Sequence, residues 1–216
     1  MTSMKPVIVV LASQKGGVGK SSLSRALAVV AARAGLDVVV ADLDPQQATV
    51  IEWAKARVSG KVARKINVNA FDTVADALEV EDSDLLILDT PARANRETLE
   101  AAKRAHLLVQ PSAGSLDDLR PAILLFHELK RAGIPRQCLM IALTRILSRN
   151  EEVAARSYVE QAGYAVLPGC IREHAAYRDA QNKGRALNET DVKNLNADVD
   201  DVLTALLGFA TRSAAG

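Results

Sequence analysis

The sequence contains few aromatic residues and almost no net charge. Phe, Trp and Tyr make up 3% of the 216 residues, although 49% of the residues are hydrophobic. The core must therefore be built from Ala, Val, Leu and Ile, which suits a parallel sheet covered by helices on both faces. A formal net charge of +1 gives no general electrostatic attraction to nucleic acids or membranes. Any such binding needs a local patch.

Cysteine and long apolar runs are also scarce. The two cysteines, Cys138 and Cys170, have neither metal-ligand nor redox spacing. No apolar run reaches the roughly 18 residues that a membrane-spanning helix needs, and no signal peptide precedes the first predicted strand. We therefore expect a cytoplasmic protein that does not enter membranes.

Short apolar runs alternate with helical segments along nearly the whole chain. This pattern predicts an α/β fold with a doubly wound, mostly parallel sheet and helices on both faces. We expect a single domain over residues 1–216, with a frayed tail from about residue 209. Gly35, Gly133 and Gly163 each fall where a helix is predicted to end. The predicted strands are Val7–Ala12, Asp37–Ala41, Ile66–Ala70, Leu85–Leu88, Leu107–Val109, Cys138–Leu143 and Ala165–Leu167. The predicted helices are Lys20–Ala34, Ala48–Val58, Val74–Leu78, Arg96–Ala105, Leu116–Ala132, Glu151–Ala162, Glu173–Asn182 and Asn194–Gly208.

The most informative segment is the glycine-rich loop at residues 15–22, Lys-Gly-Gly-Val-Gly-Lys-Ser-Ser. It follows an apolar strand and opens a helix, which is the context of a phosphate-binding loop. Glycines let several backbone N–H groups point at one anion, and the helix N-terminus adds further donors. Lys20 would bring a positive charge to the outer phosphates, and the Ser21 hydroxyl would bind Mg²⁺.

Three aspartates follow predicted strands and are candidates for the metal and the attacking water. Asp89 closes the Leu85–Leu88 strand, which is the Walker B arrangement. Asp42 and Asp44 follow another strand and point to one face of an extended chain. Pro45 then breaks the strand and lets Asp44 turn toward the γ-phosphate. The alternative is that Asp42 and Asp44 only cap the next helix, and both interpretations can hold together.

The loop departs from the ordinary phosphate-loop pattern, since Gln14 replaces the first glycine and Lys15 adds a second lysine. With the Asp42–Gln46 and Asp89–Pro91 strings, it resembles the ParA/MinD family of deviant Walker A ATPases, and most closely the short ParA type. The resemblance continues more weakly through residues 109–112, 143–145 and 167–172. It implies a P-loop ATPase that binds ATP and Mg²⁺.

The resemblance also implies roles for individual residues. Lys15 would reach the partner's phosphates across an ATP-dependent sandwich homodimer, Lys20 would neutralise phosphate charge, and Asp44 would position the attacking water. The metal shell would be Ser21, Asp42 and Asp89. The nucleotide-binding residues would be Lys15, Gly16, Gly17, Val18, Gly19, Lys20, Ser21 and Ser22, with Arg145 and Pro168 near the adenine. Residues 90–95 would form a switch segment.

Members of the short ParA type hold DNA without sequence preference when ATP is bound, and they act with a ParB-like centromere-binding protein. The resemblance therefore implies a nucleoid-associated ATPase, only weakly active alone and stimulated by its partner, that partitions plasmid or chromosomal DNA. By raw charge, however, the candidate DNA-binding stretch is an ordinary solvated surface, because acidic residues are interspersed. The candidate contacts are Arg172, Arg178, Lys183, Arg185 and Lys193.

Other functions remain open at this point. A protein assembly positioned over the nucleoid is an alternative cargo. A small-molecule kinase or ligase is an alternative of another class, and it would leave Lys15 idle. An electron carrier like the nitrogenase iron protein would need cysteines after the Walker B strand, and none lies between residues 89 and 137. Trp53 is interpreted as a packing residue rather than a nucleotide contact.

Overall fold

The computed structural model describes residues 5–45, 47–62, 66–92 and 95–215. The described chain forms one seven-stranded sheet in which every pair of neighbouring strands is parallel. The predicted fold class is confirmed. The strands are β1 (Val7–Leu11), β2 (Val38–Asp42), β3 (Asn67–Ala70), β4 (Leu85–Asp89), β5 (Leu107–Ser112), β6 (Leu139–Leu143) and β7 (Ala165–Val166).

Helices connect the strands. They are α1 (Lys20–Arg33), α2 (Thr49–Ser59), α3 (Val74–Leu78), α4 (Arg96–Arg104), α5 (Leu116–Arg131), α6 (Arg149–Gln161), α7 (Ala175–Asn182) and α8 (Lys193–Ala214). Short 3₁₀ turns lie at Arg136–Cys138 and Leu187–Glu189. Among the described residues, no helix is both long and apolar enough to cross a membrane.

The sheet order is β3-β2-β4-β1-β5-β6-β7, which places β1 at the centre. In this register Asp89 lies beside Leu11 on one side and beside Asp42 on the other. The loop that leaves β1 therefore emerges next to both carboxylates. This edge holds the carboxyl ends of the strands, where parallel α/β sheets bind their ligands.

The core has two layers, because side chains of each central strand alternate between the two faces of the sheet. Val9 and Leu11 of β1 pack on the side of α1 and α8. Ile8 and Val10 pack on the opposite side with residues from α4, α5 and α6. The apolar atoms come mainly from aliphatic residues, as the scarcity of aromatic residues predicted.

Three helices end at the predicted glycines. Gly35, Gly133 and Gly163 have φ values of 88°, 95° and 82°, in the left-handed region that glycine adopts without strain. The C-terminal prediction is wrong, since α8 continues beyond Gly208 to Ala214. Its buried residues Leu203, Leu206 and Ala210 keep helical spacing, so packing against the core extends the helix.

Candidate functional site

The phosphate loop curls between β1 and α1. Gly17 and Gly19 have φ values of 73° and 105°, which side-chain-bearing residues rarely adopt. Two hydroxyl groups hold the loop. Ser13 Oγ accepts from the Lys15 backbone N at 3.1 Å, and Thr144 Oγ1 donates to the Val18 carbonyl at 3.0 Å. These two bonds therefore tie the loop to the segments that follow β1 and β6.

A cavity of about 330 Å³ lies over this loop. Lys20, Ser21, Ser22, Asp44, Thr49 and Thr90 are among the residues that line it. Lys20 is only 8% exposed. Burial lowers the pKa of its ammonium group, and the nearby Asp89 and Asp44 carboxylates partly oppose that shift. The cavity thus places a cation where the structure offers little water to screen it.

Asp89 lies at the floor of the site and is 2% exposed. Its Oδ1 accepts from Ser24 Oγ at 3.0 Å, and its carboxyl group is also hydrogen-bonded to Ser21. Burial raises the pKa of Asp89 to about 6, against the opposing effects of the two serines and Lys20. A serine hydroxyl facing a buried carboxylate beside a phosphate cradle is a donor set that suits Mg²⁺. The two residues that would hold the ion are Ser21 and Asp89.

Asp42 makes different contacts from those expected of a metal ligand. It is fully buried, and its Oδ2 accepts from the backbone N–H groups of Val50 and Ile51 at 3.1 and 3.3 Å. Its Oδ1 accepts from the Asp44 N–H at 3.1 Å. Both oxygens therefore satisfy the N-terminus of α2 and the turn before it, which is the capping role weighed as the alternative.

Asp44 lines the phosphate cavity, as its predicted role requires. Its Oδ1 accepts from the Gln47 N–H at 3.2 Å, and its carbonyl accepts from the Ala48 N–H at 2.7 Å. The turn is thus continuous with the start of α2. Gln46 lies outside the described residues, as do Arg93 and Ala94 of the predicted switch segment. Thr90 is buried and donates from Oγ1 to the Leu11 carbonyl at 2.9 Å.

Lys15 does not line the cavity of its own chain. Its Nζ forms an ion pair with Asp118 Oδ1 at 2.9 Å, and its side chain is 41% exposed. Asp118 lies in the first turn of α5, where Ser115 caps the helix. Burial would raise the Asp118 pKa, but hydrogen bonds from Ser115 and Lys15 hold it below its ordinary value. The entrance lysine therefore points along the surface and away from the phosphate cavity.

A second cavity of about 340 Å³ adjoins the loop on the side of α7 and would suit a base. Arg145 lines this cavity, with its Nε donating to Glu173 Oε2 at 2.9 Å. Pro168 is exposed and is not among the residues that line this cavity, so its place near the adenine stays a prediction. Ile171, Tyr177 and Leu187, from the segment after Pro168, supply apolar surface instead.

The five predicted DNA contacts lie in different surroundings. Arg172 and Arg178 line the second cavity, and Arg178 pairs with Glu173 at 2.7 Å. Arg185 pairs with Asp191 at 2.8 Å. Lys183 is exposed and lines a separate cleft with Arg185 and the exposed Lys61. Lys193 is exposed at the start of α8.

Sequence reasoning missed several residues that contact the loop or line its cavity. Thr49 Oγ1 donates to Ser21 Oγ at 3.1 Å, and Ser22 Oγ donates to Gln181 Oε1 at 2.8 Å. Arg25 lines the phosphate cavity. Arg25 could have been found, since it lies one helical turn after Ser21 and on the same face. The sequence around Gln181 does not indicate its contact with the loop, because residue 181 reaches the loop only through the tertiary fold.

The residues that form this site fall within a single family match. Residues 9–187 match the model of the CobQ/CobB/MinD/ParA nucleotide binding domain. The chain belongs to this family. The match spans the phosphate loop, the three aspartates and both cavities. A curated relative, Protein ParA of Rhizobium radiobacter, is 28% identical over 174 residues, which cover 77% of this chain and 68% of the relative.

Solved structures of low sequence identity share the fold of this family member. A putative plasmid partition protein from Borrelia burgdorferi B31, bound to AMPPNP, superposes with a TM-score of 0.72 at 16% identity. That match covers 94% of this chain and 99% of the other. The septum site-determining protein MinD of Pyrococcus horikoshii, complexed with Mg-ADP, has the same TM-score and 16% identity, and covers 95% and 98%.

Proposed function

We propose that this protein is a ParA-type ATPase that forms an ATP-dependent sandwich dimer. In that state it would bind DNA without sequence preference and move a plasmid or chromosomal cargo with a centromere-binding partner. The ParA relative and the likeness to a putative plasmid partition protein support this choice among the members of the family.

The observation that carries the proposal is the position of Lys15. It stands at the entrance of the loop, half-exposed, and its own phosphate cavity is already served by Lys20. A second cation that lies outside its own phosphate cavity could bind a phosphate that another molecule supplies. In a face-to-face dimer, the Lys15 ammonium group would leave Asp118 and bind the phosphates of the partner's nucleotide.

The chain's own residues suit phosphoryl transfer to water, which depends on positioning and charge neutralisation. The loop amides and Lys20 would bind the β- and γ-phosphates, while Ser21 and Asp89 would hold Mg²⁺, which supplies further charge neutralisation when bound. Asp44 would orient the attacking water from its turn at the cavity edge. Because Lys15 would arrive only from the partner, a monomer should hydrolyse ATP slowly.

Light scattering on the full chain tests the dimer. Native protein and Asp44→Ala are compared with ATP, with ADP and without nucleotide, and Lys15→Ala is examined in the Asp44→Ala background. We expect Asp44→Ala to accumulate as a dimer with ATP, and the added Lys15→Ala change to abolish it. A monomer in every condition would overturn the proposal. A monomer that still consumes ATP when a small-molecule acceptor is added would favour the kinase alternative.

A further inference from the structure

Arg25 connects three helices around the phosphate cavity. It lies in α1, and its guanidinium donates to the Thr49 carbonyl at the start of α2 and to Gln181 Oε1 of α7 at 3.3 Å. Its Nε has no hydrogen-bond partner among residues of the described segments. The side chain lines the phosphate cavity, so this guanidinium spans the space between the loop helix and two of its neighbours.

The two acceptors of Arg25 are residues that also contact the loop hydroxyls. Thr49 Oγ1 donates to Ser21 Oγ, and Ser22 Oγ donates to Gln181 Oε1. Thr49 and Gln181 are therefore held twice, once by a loop serine and once by Arg25. If nucleotide and metal engage the serine hydroxyls, the bonds from Arg25 remain, because they use a main-chain carbonyl and an amide oxygen.

Burying the charged guanidinium group of Arg25 here carries a desolvation cost. Burial lowers its pKa, and the nearby Asp89 and Asp42 carboxylates partly offset that effect. An arginine nevertheless stays protonated, so its charge must be balanced by fixed partners. Part of that balance comes from Trp53, whose ring centroid lies 5.7 Å below the guanidinium carbon. An apolar side chain would fill the same helix position at lower cost in desolvation.

We propose that Arg25 is a positioning residue for ATP hydrolysis. By holding the Thr49 end of α2, it fixes the Asp44 turn relative to the phosphate loop. The turn is continuous with α2, since the Asp44 carbonyl accepts from the Ala48 N–H. This inference rests on the proposed function, in which Asp44 orients the attacking water.

The test compares Arg25→Met, Arg25→Lys and native protein for kcat, KM for ATP and affinity for Mg-ADP. For Arg25→Met we expect kcat to fall about tenfold, with KM and Mg-ADP affinity within about threefold, because an interaction that orients the hydrolytic turn affects the chemical step more than binding. Arg25→Lys should recover only part of the loss, since one ammonium does not reproduce a planar fork spanning two acceptors. Arg33→Gln is the control, because it removes a charge from the same helix at its exposed end.

The outcomes separate this inference from the function on which it rests. If native protein has no ATP hydrolysis that depends on Lys20, the proposed function fails. If native protein hydrolyses ATP and Arg25→Met has the native kcat, the positioning role is wrong. It is equally wrong if Arg25→Lys restores kcat fully, or if Arg25→Met loses Mg-ADP affinity and thermal stability in parallel with kcat. Circular dichroism during heating measures folding in every variant, and titration with Mg-ADP measures nucleotide binding.

Discussion

At the scale of single residues, the ion pair between Lys15 and Asp118 competes with the proposed role of Lys15. The pair is partly exposed, with 41% and 23% of the two side chains accessible. Such pairs contribute little to stability, so a phosphate group can displace the carboxylate at small cost. The free carboxylate then still repels an incoming triphosphate. We therefore expect Asp118 to weaken assembly of the dimer slightly, and we expect removal of its charge to favour the dimer.

Asp118→Asn should lower the protein concentration needed for the ATP-bound dimer about threefold, a factor within the range expected for an exposed ion pair. The measurement is light scattering over a protein concentration series with ATP, in the Asp44→Ala background. Asp117→Asn is the matched control, because it removes the same charge from the same helical turn. An equal shift in both variants would mean that the helix dipole or net charge is responsible, and the competition would be refuted.

Asp89 gives a second test, based on pH. Its pKa is raised to about 6 in the folded protein, with burial as the main cause, from the ordinary value of 3.8. The stabilisation linked to this raised pKa is complete below the unfolded value and is lost as pH rises through the folded value. At neutral pH the nucleotide-free protein therefore carries the cost of an ionised buried carboxylate.

Asp89→Asn removes that cost and keeps an oxygen that can accept from Ser24. The free energy of unfolding of the variant relative to native protein should rise by about 1 kcal/mol between pH 5 and pH 8. Urea denaturation without nucleotide at several pH values measures this difference. A constant difference across the range, or one that falls with pH, would show that the Asp89 pKa is not raised.

At the scale of elements, local patterns predicted the alternation of strands and helices well. Apolar runs marked all seven strands of the described chain, with boundaries that moved by three residues or fewer, and helix boundaries moved as well. The start of α6 shows why, since Ser148 Oγ accepts from the Glu151 N–H and the helix already begins at Arg149. His174 fixes the start of α7 in a similar way, through Nδ1 and the Ala176 N–H. Capping bonds of this kind decide where a helix begins, and composition alone does not reveal which residue makes them.

The phosphate loop and Asp89 could be predicted because their chemistry lies within a few consecutive residues. The partners of Lys15 and Ser22 could not, since Asp118 and Gln181 reach the loop from distant helices. Asp42 shows a further limit. Its position at the end of a strand fits either a metal ligand or a cap, and the hydrogen bonds from the Val50 and Ile51 N–H groups show the capping contact. Local sequence thus predicted the candidate reacting groups, and the fold determined which residues hold them.

At the scale of the whole molecule, the proposed DNA binding needs a local surface. The net charge is +1, and two of the five predicted contacts belong to the second cavity. Lys183 and Lys61 share a cleft with Arg185 on the side of α2 and α7. Asn182 at the end of α7 lines this cleft, and its sequence neighbour Gln181 lines the second cavity. Lys183 and Lys61 are therefore the cations that we expect to contact DNA phosphates.

A dimer presents two copies of this cleft, so its affinity should depend steeply on salt. Each phosphate contact contributes about −0.9 to the slope of log affinity against log salt, and Lys183→Gln should therefore reduce the slope by about 1 to 2 in the ATP-bound dimer. Retention on non-specific DNA, measured with ATP and with ADP from about 50 to 200 mM salt, tests this expectation. Lys103→Gln is the control, because Lys103 lies on α4 across the sheet and pairs with Glu100. Retention that is equal with ADP, or a slope equally reduced by Lys103→Gln, would exclude the cleft as the DNA-binding surface.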